Sequence, residues 1–271
     1  YANGPGFIRS SRTVLQFTAP LASPSPSPTP ELQPTPSPSP SPSPSPLPTQ
    51  SVLPTPTTVL ENSSLSTRQQ YAEEALANLR RNQEADGSIA GNIVSAWSAI
   101  AFGAHGERAA DVRKKERSLL DALGTATLAS ATDIERQILA VRASGADPRS
   151  FAGKDLVALL RSRFHNRQLG SENLVNDDIF GILALLAASE SASSPEVRQT
   201  VETLLQHQSS DGSFENLDLT TAAIQALRAY AERGGTDVSN ALARARAYLR
   251  SHQDQFGGFG ENSAATSWGL Q

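Results

Sequence analysis

Gln83-Glu84-Ala85-Asp86-Gly87-Ser88-Ile89, Gln208-Ser209-Ser210-Asp211-Gly212-Ser213-Phe214 and Gln253-Asp254-Gln255-Phe256-Gly257-Gly258-Phe259 are three copies of one turn. Each places Gln four residues before Gly, followed by a small residue and an apolar one. Glycine there admits the positive φ that a reversal between helices requires. Arg167-Gln168-Leu169-Gly170-Ser171 is a weaker fourth copy. A second landmark is a polar residue opening an apolar helical stretch: Asn92, Asp133, Asp178, Asp218 and Asn262, at separations of 41, 45, 40 and 44 residues. A period of this length signals stacked supersecondary units, none able to bury its apolar face alone.

Two kinds of helix alternate within the period. Ala72, Ala75, Leu76 and Leu79 form one apolar stripe on an otherwise charged helix, and Ala241, Leu242, Ala245, Tyr248 and Leu249 repeat it near the end. Such helices face water on one side. Ser194-Pro195-Glu196 opens another of this kind, with a capping Ser and Pro at the first helical position. By contrast, Ile179–Leu186 and Ile93–Ile100 are apolar nearly all round, so they are expected to be buried on most sides. Half-buried helices alternating with buried ones imply two concentric layers, an outer ring around an inner one. The fold class expected is therefore all-α, an α/α toroid of helix-pair repeats over residues 65–271, with five units of an expected six.

Composition divides the chain before that point. Fifteen of the 18 prolines lie between Pro20 and Pro56, where Ser-Pro and Thr-Pro dipeptides run almost without interruption. Proline fixes φ and removes an amide donor, so residues 19–60 are expected to be a disordered Ser/Pro-rich linker of polyproline II character. Its forty-odd residues have a reach on the order of 120 Å, a spacer suited to standing off a surface. Ahead of it, Val14-Leu15-Gln16-Phe17-Thr18 alternates apolar and polar, and residues 1–18 read as the last strand of a truncated preceding β domain or as a disordered terminus. The chain has no methionine and stops within a helical pattern, so an excerpt of a longer protein is expected.

A net charge of −4 and the absence of a basic run beyond Arg113-Lys114-Lys115 exclude nucleic acid as the main partner. That triplet reads as the solvated face of a helical stretch. With no cysteine there is no disulfide, thioester or thiolate metal site. His207 and His252 stand directly before Gln208 and Gln253, and a histidine that tracks the repeat is read as part of the turn rather than as a ligand. His105 and His165 read as helix-end residues that satisfy last-turn carbonyls.

The Gln-x-x-x-Gly turns, with Phe256-Gly257-Gly258-Phe259-Gly260 and Ala265-Thr266-Ser267-Trp268, resemble the repeat of the terpenoid cyclase/protein prenyltransferase α/α toroid superfamily. Gly145-Ala146-Asp147-Pro148 and Asn176-Asp177-Asp178-Ile179 are similar to bacterial cell-surface prenyltransferase and squalene oxidase repeat proteins. The resemblance implies an extracellular or cell-surface protein, with membrane or cell-wall association only through regions outside this chain. Its known chemistries fit poorly. The Asp-x-Asp-Asp acid of the cyclases is incomplete in Val175-Asn176-Asp177-Asp178, aromatics are only 6% of residues, and a prenyltransferase zinc site lacks its Cys.

A non-catalytic binding or interaction module is therefore expected, taking a small-molecule or protein ligand at the toroid mouth. The ligand-binding candidates are Trp97, Asp133, Asp178, Phe214, Asp218, Phe259 and Trp268. Phe214 and Phe259 follow the repeat turn and also read as core residues. No metal or cofactor is expected from the residues. The resemblance adds only an analogy to cobalamin carriers, and so a cobalamin-like ligand. The alternative is a cyclase-like or six-hairpin glycosidase/lyase-like enzyme that uses rim carboxylates, Asp177 and Asp178 foremost. Against it stands the reading in which Asp133, Asp177, Asp178 and Asp218 each cap an inner helix.

Overall fold

The computed structural model describes residues 57–172, 174–255, 257–259 and 266–267. The proposed N-terminal strand, most of the Ser/Pro-rich segment, Asn262 and Trp268 lie outside the described residues. Those that are described are mostly helical: α1 Thr57–Arg81, α2 Gly91–Ala104, α3 Leu119–Thr125, α4 Ala131–Ala143, α5 Leu156–Arg161, α6 Val175–Ala187, α7 Pro195–Gln206, α8 Leu217–Glu232 and α9 Ser239–Ser251. Two short antiparallel hairpins interrupt them, β1 Arg113–Lys114 with β2 Arg117–Ser118, and β3 Phe164–His165 with β4 Gln168–Leu169. The chain divides into two units within α1. Thr57–Tyr71 falls in one, and the helices from Ala72 onward form the other. None of the described helices is long and apolar enough to cross a membrane.

In the larger unit α2, α4, α6 and α8 pack side by side in that order, and α3, α5, α7 and α9 each pack on the helix before them. The amphipathic patterns of α7 and α9 are used as the sequence suggests. Val197, Thr200, Val201 and Leu204 are the buried stripe of α7, and Ala241, Leu242, Ala245 and Leu249 that of α9. α6 is buried at nine of its thirteen positions, from Val175 to Leu186. The largest cluster of buried side chains runs from Ile134 on α4 to Phe259, and a second, around Phe102 and Leu119, lies under α2 and α3.

The Gln turns have one hydrogen-bond plan. The Gln83 amide donates to the carbonyls of Gly87 and Val112, both at 3.0 Å. Gln208 donates to Gly212 at 3.0 Å and Ala241 at 2.9 Å, and Gln253 to Gly257 at 3.1 Å. Gly87, Gly212 and Gly257 have φ of 91°, 94° and 87°. A Cβ on Gly87 would strike the Ser118 carbonyl, and one on Gly212 the Arg244 backbone, so these turns need Gly for space as well as for φ. The apolar residue after each turn donates its amide to a hydroxyl ahead: Ile89 to Ser95, Phe214 to Thr220 and Phe259 to Thr266, at 2.8 to 2.9 Å. The residue before each Gln reaches back four positions. Asn82 donates to the Asn78 carbonyl, while His207 and His252 engage those of Thr203 and Tyr248. The two histidines belong to the turn, as their repeat position indicates.

Four expectations are corrected. Arg113-Lys114-Lys115 is solvated but belongs to the β1–β2 hairpin rather than a helix, with Lys115 at φ 53°. His165 is on β3, with Nδ1 at the Arg163 carbonyl, and not at a helix end. Ser194 precedes α7 and Pro195 opens it, yet the Ser194 side chain makes no cap bond. α2 is not buried all round: Ile93 and Val94 are 55% and 39% exposed, because α2 stands at the end of the α2–α4–α6–α8 row and has a row neighbour, α4, on only one side among the described residues.

Candidate functional site

The first turns of α4, α6 and α8 meet at one end of the helix row. Thr132 and Arg136 of α4, Val175, Asn176 and Phe180 of α6, and Asn216, Asp218, Leu219 and Ala222 at the start of α8 line an open cavity of about 440 Å³. Trp97 of α2 closes one wall, its ring edge-on to Phe180 with centroids 6.1 Å apart. Three helix N-termini stand around this space and bring the positive ends of three dipoles to it. Arg136 is held by Asp133 at 3.2 Å.

The caps differ from the expected ones. Ser130 is the N-cap of α4, and Asp133 completes a capping box by accepting from the Ser130 amide at 3.1 Å. Burial pushes the Asp133 carboxyl up, but the Ser130 amide and hydroxyl and Arg136 outweigh it and hold the group below its ordinary value. Asn216, not Asp218, caps α8, accepting from the Leu219 amide at 2.9 Å. α6 has no side-chain cap, since its N-cap position is Leu174. Asp177 and Asp178 reach instead into the segment preceding their own helix. Asp177 accepts from the Thr132 hydroxyl at 2.6 Å and the Ser171 amide at 3.0 Å, and Asp178 from the Leu169 amide at 3.1 Å. Asp178 thus receives the amide that Ser95 and Thr220 receive elsewhere.

Trp97 and Asp218 therefore stand at the mouth. Phe214 and Phe259 are 0% and 1% exposed core residues. Asp178 is buried and does not line the cavity. Asp177 lines a neighbouring recess with Ser130, Arg163, His165 and Leu174. Burial, opposed by the Leu169 amide and reinforced by Asp177, raises the Asp178 carboxyl to about 7. That value suits acid–base work, but a general acid must reach its substrate within hydrogen-bond distance, and Asp178 faces protein. No cluster of metal-binding side chains occurs among the described residues.

Sequence reasoning missed Arg136, Asn176, Phe180 and Asn216 at the mouth and Glu135 behind it. The signal was present in Glu135-Arg136-Gln137, three consecutive polar residues in the middle of α4, two of which must fall on buried faces. Glu135 is 0% exposed and neither carboxyl oxygen has a hydrogen-bond partner among the described residues. Comparison of the chain with protein-family models, with curated proteins and with solved structures finds no match.

Proposed function

We propose that the chain is a non-catalytic binding module, an α/α toroid of helix-pair repeats related to the terpenoid cyclase/prenyltransferase superfamily and displayed extracellularly behind its Ser/Pro-rich segment. The observation that carries this reading is the cavity at the converging starts of α4, α6 and α8, walled by Trp97 and Phe180. An aromatic wall with a few polar groups from fixed helix ends is the usual composition of a small-molecule site. Its volume of about 440 Å³ suits a ligand smaller than a corrinoid, with a flat apolar body against Trp97 and polar groups toward Asn176, Asn216 and Asp218. The commitment of Asp177 and Asp178 to Thr132 and to backbone amides supports binding over catalysis.

Titration of the intact chain with an anilinonaphthalene sulfonate dye, alongside native mass spectrometry for retained small molecules, tests this. Dye binding is expected to fall at least tenfold in Trp97→Ala, and any retained ligand to be lost with it. Equal binding by the variant would remove the mouth from consideration.

A further inference from the structure

Glu135 projects from α4 into its contact with α6. Its Oε1 stands 3.3 Å from where a Cβ on Gly181 would be, and Leu169 of β4 presses on the same glycine. A carboxylate with no donor and no water access is strongly disfavoured in such a place, whereas a neutral carboxylic acid is tolerated.

The charges around it do not relieve this. On α4, Asp133 and Arg136 flank Glu135, and Arg136 is already paired with Asp133. From α6 come Asp177 and Asp178, both negative when ionised. α2 has no ionisable side chain, Asp121 of α3 is held in a capping box with Ser118, and Arg161 of α5 is paired with Glu196. β4 contributes only Gln168 and Leu169. Burial foremost, then Asp177 and Asp178, pushes Glu135 well above its ordinary range.

We propose that Glu135 and Asp178 act as a pH latch at the contact of α4 and α6, which stays packed while both buried carboxyls are neutral and loosens when rising pH ionises them. The hinge is the junction of α4, β4 and α6, because Asp178 also holds the Leu169 amide and Asp177 ties Thr132 to Ser171. α4 and α6 supply five of the residues around the mouth, so loosening this contact opens the cavity from behind. That last consequence rests on the binding reading above, but the latch itself does not.

The test is an infrared titration of the full chain. The C=O stretch of a protonated carboxylic acid is expected to persist above about pH 6, where ordinary Asp and Glu side chains are ionised. Glu135→Gln and Asp178→Asn should each remove part of it. Hydrogen exchange is read in parallel. After correction for intrinsic rates, amides of 131–143 and 175–187 should exchange at least tenfold faster at pH 9 than at pH 6 in the native chain, and less so in either variant. If every carboxyl band has titrated by about pH 5, the proposal is wrong whether or not the variants fold. Equal dye binding by the native chain and Trp97→Ala with the infrared band intact would instead strike only at the mouth.

Discussion

Gln83 is 2% exposed and gives both protons of its side-chain amide to backbone carbonyls, one in its own turn and one at Val112. Removing it strands the Gly87 carbonyl where water has little access, while the Val112 carbonyl keeps the Leu119 amide at 2.8 Å. Gln83→Ala should therefore cost about 1–3 kcal/mol, read as a lower urea midpoint at unchanged slope. Gln208 makes the same pair of bonds from a less buried position, so Gln208→Ala should cost less. The two losses should add, since the turns share no partner. This much was legible in sequence, because a turn that needs Gln, positive-φ Gly and a following apolar residue needs them in the same order each time. Asp177 and Asp178 were not. An acidic pair at a helix start looks like a cap, and nothing local reveals that its partners lie on β4, the following turn and α4.

At the scale of elements, tight helix contacts explain two glycines inside helices. A Cβ on Gly103 would collide with the backbone carbonyl of Ala143, where α2 meets the end of α4. The atoms in the way are main chain and cannot swing aside. Gly103→Ala should cost roughly 1–3 kcal/mol net of the better helix propensity of alanine. Gly181→Ala meets the end of the Leu169 side chain and should come closer to neutral. Thermal melts of the two variants side by side check the order, and equal losses would mean that α2 and α4 separate easily. Periodicity made the helices legible but not their neighbours, which is why Ile93 and Val94 look buried in sequence and are exposed in the fold. The β1–β2 hairpin was invisible for a different reason. Lys115 takes the positive φ at its turn, where Asn or Gly would have announced it.

At the scale of the whole molecule, the carboxyls with shifted titration among the described residues fall into two groups of opposite sign. Asp133, Asp121 and Glu107 are held low; in Asp133 burial pushes upward but is outweighed by Ser130 and Arg136 together, while Ser118 holds Asp121 and Arg80 holds Glu107. Their contribution is present above the ordinary carboxylate range and lost as pH falls through their depressed values. Asp178 and Glu135 are raised, so the stability tied to their neutral forms is fully present below about pH 4 and lost as pH climbs. For Asp178 that loss runs from its ordinary 3.8 to about 7. A change of that size is worth roughly 4 kcal/mol at most, a large part of the 5–15 kcal/mol that holds a domain together. Between the two limbs the stability maximum should fall near pH 4–5, lower than the more usual interval of about 5–8. From pH 5 to pH 8 the melting temperature is expected to drop by roughly 10 °C, the fall that a domain of this size shows for such a loss. Asp178→Asn keeps an acceptor for the Leu169 amide but cannot ionise, so it should melt higher than the native chain at pH 8 and no higher at pH 4. Calorimetry across that range decides it. A native curve flat or rising from pH 5 to pH 8 would mean that α4 and α6 admit enough water to solvate both acids where they lie.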